Sequence, residues 1–110
     1  MTDMPEETQG KIRQLQMREQ ELRQLQMQKQ TFQLQMMEIE SALKELQGAK
    51  EAYKIIGSVM VLTKKEDLEK DLDEKKETTE LRISSLQKLE AKTREKAETL
   101  QKDVMASMKK

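Results

Sequence analysis

No histidine and no cysteine occur in the 110 residues, which removes an imidazole general base, a thiolate nucleophile and the usual zinc ligands together. A self-contained Ser-His-Asp triad is excluded, and no disulfide framework exists. The three glycines, Gly10, Gly48 and Gly57, are too scattered to cradle a phosphate. Asp67, Glu69, Asp71, Asp73 and Glu74 form an acidic cluster, but without the loop glycine and spacing of a calcium site. The chain is therefore expected to hold no metal or cofactor and to be no enzyme. Charge of one sign is also missing: 21 basic residues offset 21 acidic ones, leaving no footprint for nucleic acid and no polybasic patch for a membrane. No apolar run approaches the ~20 residues that span a bilayer, and the N-terminus lacks the charged-then-apolar order of a secretion signal. A cytoplasmic protein is expected.

What the chain does have is helical periodicity. Its hydrophobic content, 35%, is lower than its charged content, 38%, a balance that suits a thin, extended fold rather than a thick core. From Leu15 to Leu46 one heptad register places Leu15, Leu22, Lys29, Met36 and Leu43 at a, with Arg18, Leu25, Phe32, Ile39 and Leu46 at d. Eight of these ten are apolar, which predicts a coiled-coil seam. Pro5, Glu6 and Glu7 suit a first turn, and Gly48 suits a stop in the left-handed conformation, so helix 1 is expected over about residues 5–48.

Thr63, Lys64, Lys65 and Glu66 read as a capping box opening a second helix over about residues 64–108. Its d positions are Leu72, Thr79, Leu86, Thr93 and Leu100; its a positions are Lys76, Ile83, Glu90, Ala97 and Val104. Six of these ten are apolar, so this seam is weaker, with Leu68 and Leu89 expected to broaden it at g. The charges on this helix read as a solvated face laced with pairs such as Glu66 and Lys70.

Between the helices, Tyr53-Lys54-Ile55-Ile56 and Val59-Met60-Val61-Leu62 flank Gly57-Ser58, the pattern of a hairpin over about residues 52–62 closed by a type II′ turn. Lys54 is the one charge in these eight strand residues. Both faces therefore want cover, and an isolated two-stranded hairpin is marginal in water. Reversal at Gly57 and Ser58 makes partner numbers sum to about 115, bringing Leu15 near Leu100 and Leu43 near Leu72 in an antiparallel helical hairpin. The whole of residues 1–110 is expected to form one domain.

Nine methionines are the most unusual component. Met36 and Met60 are explained by packing, whereas Met17 and Met27 fall outside the seam and Met1, Met4, Met105 and Met108 gather at the termini. Flexible thioethers make an adaptable surface for varied apolar partners. The Gln-rich stretch over residues 9–35 keeps helical register and reads as solvated helix surface.

The hairpin run from Tyr53 to Val61, with its Tyr53, Lys54, Gly57 and Val61 core and a lysine-led second helix, resembles the β-class prefoldin subunits of archaea, and the likeness extends over essentially the whole chain. It implies a mainly α subunit, two long helices joined by one central β-hairpin, that joins a heterohexamer of two α-class and four β-class chains. The hairpins would build a β-barrel platform. It further implies an ATP-independent chaperone that grips unfolded polypeptide at coiled-coil tips and delivers it to a group II chaperonin. On that reading Tyr53, Ile55, Ile56, Gly57, Val59, Met60 and Val61 serve oligomerisation. Met1, Met4, Ile12, Met17, Val104, Met105 and Met108 contact the client. A structural or tethering coiled coil that binds a fixed protein partner is the alternative; it explains the seams but not the hairpin.

Overall fold

The computed structural model describes residues 4–109. In chain order the elements are α1 (Glu6–Gln47), β1 (Ala52–Ile56), β2 (Val59–Thr63) and α2 (Lys65–Met108). They divide between two compact units, one built from residues up to Lys29 and from Ser85 onward, the other from Gln30–Ser84.

In the first unit the helices run antiparallel. Lys11 lies 3.9 Å from Asp103, and Lys29 lies 2.8 Å from Glu90. Leu25, Ala97 and Val104 are buried between them, together with Thr8, Thr93 and Glu90. In the second unit α1 and α2 again oppose each other, with the Arg82 guanidinium 5.4 Å from the centre of the Phe32 ring, inside the ~6 Å range of a cation–π contact. Thr79 is buried there without penalty, because its hydroxyl donates to the Lys75 carbonyl at 2.7 Å.

All twenty expected a and d positions are buried or half-buried, the charged and polar ones included. The flanking positions divide: Leu68 is half-buried as expected, whereas Leu89 stands exposed and does not widen the seam.

Two helix ends differ from expectation in their chemistry. Helix α1 stops at Gln47, but Gly48 does not take a left-handed conformation; among the described residues Gly57 alone has positive φ. The end is closed instead by a tight bond from the Ala49 amide to the Leu46 carbonyl at 3.2 Å, while the Lys65 ammonium donates to the Gln47 carbonyl at 2.9 Å. At the start of α2, Thr63 is claimed by the β ladder as the partner of Ala52. The capping position passes to Lys64, whose carbonyl accepts from the Leu68 amide at 3.1 Å, so the Thr63–Glu66 box is displaced by strand pairing.

The hairpin itself follows the predicted register, from Ala52↔Thr63 to Ile56↔Val59. Gly57 has φ +63° and Ser58 does not share that sign. A type I′ turn needs positive φ at both central residues, so the turn is type II′.

Candidate assembly and binding surfaces

Side chains alternate across a strand, and the ladder sorts this hairpin into two faces. Tyr53 and Ile55 share one face with their partners Leu62 and Met60; Lys54 and Ile56 share the other with Val61 and Val59. Neither face is covered. Ile55 is 69% exposed, Met60 65% and Leu62 63%, and Tyr53, Ile56, Val59 and Val61 are exposed as well. The sheet is rooted at its base, where Ala52 is buried and Thr63 half-buried.

Its polar groups are engaged close by. The Tyr53 hydroxyl donates to the Glu51 carboxylate at 2.7 Å. That bond, with a smaller contribution from burial, raises the phenol above its ordinary pKa of 10.0. On the opposite face the Lys54 ammonium reaches Asp71 at 3.4 Å. What remains outward is apolar. An open groove also runs beside β1, lined by Ile39, Ala42, Leu68 and Leu72 with Tyr53 and Ile55.

The sheet has two strands, so each keeps one edge of backbone donors and acceptors without a ladder partner among the described residues. Exposed apolar edges of this kind pair with further chains. All seven residues expected to serve oligomerisation, Tyr53, Ile55, Ile56, Gly57, Val59, Met60 and Val61, lie on this hairpin. Leu62 shares their exposure: it continues the face begun by Met60, and strand alternation alone, two residues on, marks it.

At the other unit, Met105 and Met108 are exposed and three residues apart, so they share one helical face. Met17 is exposed on α1, and Met4, just ahead of that helix, is also at the surface. Ile12 is half-buried. Val104 is only 8% exposed: it fills its a position in the seam and offers little surface of its own. Met1 lies outside the described residues.

The same unit holds a group that periodicity placed but did not pair. Glu90, buried at an a position, receives the Lys29 ammonium at 2.8 Å on one carboxylate oxygen and the Arg94 guanidinium at 3.0 Å on the other. The Lys29 hydrogen bond is the chief cause holding the Glu90 carboxyl below its ordinary pKa; burial opposes it, and the charges of Lys29 and Arg94 reinforce it.

No group of three or more acidic residues placed to hold a metal ion occurs among the described residues. No helix there is long and apolar enough to cross a membrane.

The model of the prefoldin subunit family matches residues 9–110. The chain is 42% identical over 106 residues to the prefoldin subunit beta of Archaeoglobus fulgidus, an alignment covering 93% of this chain and 91% of that one. It is 37% identical over 112 residues to the prefoldin subunit beta of Thermococcus gammatolerans, covering 99% and 96%. The crystal structure of the prefoldin beta subunit from Thermococcus strain KS-1 superposes with a TM-score of 0.90 at 32% identity, over 97% of this chain and 96% of that one.

Proposed function

The chain belongs to the prefoldin subunit family, a family of chaperones, and on that premise we propose that it acts as a β-class subunit of an ATP-independent holding chaperone. Residues 1–110 work as one domain in this reading. The observation that supports it most is the hairpin: two apolar faces and two unpaired edges, all outward, in a sheet too small to be stable alone.

Covering that surface requires other chains of the same design. Two α-class and four β-class subunits would pool their hairpins in a shared β-barrel, which removes every free edge. The residues of this chain that enter it are Tyr53, Ile55, Ile56, Val59, Met60, Val61 and Leu62, closed by the Gly57 turn.

The client-gripping surface is the methionine-bearing end. Met4, Met17, Met105 and Met108 offer flexible thioethers to unfolded polypeptide, whose exposed apolar segments have no fixed shape. Ile12 and Val104 support that surface from behind. Each contact is weak, and affinity comes from several subunits holding one client chain at once. The client then passes to a group II chaperonin in the cytoplasm. No cofactor, metal or chemical step enters this mechanism.

The test separates the two surfaces. Replacing Met4, Met105 and Met108 together by glutamine leaves helix propensity almost unchanged, so the assembled complex should form normally. Its suppression of aggregation of a chemically unfolded client should fall severalfold. Unchanged suppression in a complex of full size would refute client binding at this end.

A further inference from the structure

The hairpin carries a single thioether. Met60 stands opposite Ile55 in the ladder, on the face that also holds Tyr53 and Leu62, and its side chain is open to solvent. With no cysteine, histidine or tryptophan in the chain, thioethers are its most readily oxidised groups. We propose that Met60 is a redox modification site that gates assembly: a peroxide converts it to the sulfoxide in the free subunit, and the oxidised hairpin does not enter the complex. The inference rests on the hairpin being the assembly surface.

The chemistry is complete with a hydroperoxide as co-reactant. The sulfur lone pair attacks one oxygen of hydrogen peroxide, an S–O bond forms as the O–O bond breaks and expels hydroxide, the hydroxide takes the proton from the transferred oxygen and leaves as water, and sulfur is oxidised by two electrons while the peroxide is reduced. A flexible apolar side chain thereby becomes a polar one whose oxygen accepts hydrogen bonds and donates none. Nothing on that face can satisfy it. Ile55 and Leu62 are hydrocarbon, the Tyr53 hydroxyl is already given to Glu51 at 2.7 Å, and Lys54 is on the other face, held by Asp71 at 3.4 Å.

Accessibility then gives the gate its direction. In the free chain Met60 is exposed, whereas in the complex it is covered, so oxidation acts on unassembled subunits and spares assembled ones. Met17, Met105 and Met108, exposed in the other unit, report whether the oxidant reached the protein in either state.

The experiment uses the full chain, an α-class prefoldin subunit and hydrogen peroxide, with native mass measurement of the complex and peptide mass mapping of each methionine. Treating the free wild-type chain should raise the concentration needed for assembly about tenfold or more, the effect of seating one unsatisfied polar oxygen in an apolar interface. Met60→Leu, treated identically, should assemble like its untreated form, and Met60→Gln should assemble poorly with no oxidant at all. Wild-type complex treated after assembly should gain oxygen at Met105 and Met108 and not at Met60. The gate is overturned if oxidised wild type assembles normally, if treated Met60→Leu loses assembly equally, or if Met60→Gln assembles like wild type. An untreated wild-type chain that never assembles would instead refute the hairpin's role, and the gate with it.

Discussion

Replacing Lys29 by methionine removes the cross-helix partner of a buried carboxylate, and the geometry sets both the size and the asymmetry of the effect. The Lys29–Glu90 contact is 2.8 Å, with the Glu90 side chain 9% exposed and that of Lys29 22%. It lies between two limits: exposed ion pairs contribute ~0–1 kcal/mol, while breaking a fully buried one costs about 3–5 kcal/mol. Arg94 still holds the other Glu90 oxygen at 3.0 Å, so the expected loss for Lys29→Met is about 2 kcal/mol, inside that range. Glu90→Leu should cost less. The lysine left behind is long and partly exposed, and its ammonium can reach water by sliding along its stem. The double variant should lie near wild type or above it, because an apolar pair at two seam positions avoids the desolvation that the ion pair requires. The assay is urea unfolding of the isolated chain followed by helical circular dichroism, at equal protein concentration because association shifts apparent stability. A double-mutant coupling below ~0.5 kcal/mol, the scatter expected of independent sites, would show that Lys29 and Glu90 do not stabilise one another.

Glu90 has a folded pKa below its ordinary 4.5, so its contribution is present above that value and is lost as pH falls through the lower folded one; urea midpoints should therefore drop below about pH 4.5 in wild type, with a visibly smaller drop in Glu90→Gln. Gly57→Val forces a β-branched residue into φ +63°; at about 1–2 kcal/mol of strain per chain, multiplied over the copies in a complex, native mass measurement should show assembly weakened while helical content holds. Lys65→Met removes the donor to the Gln47 carbonyl and should lower stability by about 0.5–1.5 kcal/mol in the same urea assay.

The sequence foretold some features better than others, and the reason is physical. A heptad repeat reports which side of a helix faces its partner, so the seam was visible even at its polar positions, Thr79, Glu90 and Thr93. It does not report reach. Simple reversal at the turn sets Lys29 opposite Leu86, and the bond to Glu90 exists because a lysine side chain spans one further helical turn. Local signals at the boundaries lost to neighbouring structure. Thr63 had the chemistry of a helix cap, but the ladder to Ala52 held it in the strand; Gly48 had the freedom for a left-handed cap, but Lys65 satisfied the end instead. The turn was legible because Gly57-Ser58 allows few alternatives. Among the residues expected to contact a client, Val104 belongs both to the seam and to the apolar terminus, and its burial suits the seam. Leu62 follows the alternation of its strand, which places it on the exposed face of Met60 and Ile55.

The most direct measurement is the native mass of this chain mixed with an α-class prefoldin subunit, taken for wild type and for a variant carrying Ile55→Lys and Val59→Lys, one charge on each face of the sheet. Wild type should give a discrete six-chain particle, and the variant should keep its helical content yet remain in small species. A wild-type chain that stays monomeric beside its partner, or a doubly charged hairpin that still enters the six-chain particle, would contradict the claim that sister chains cover this surface.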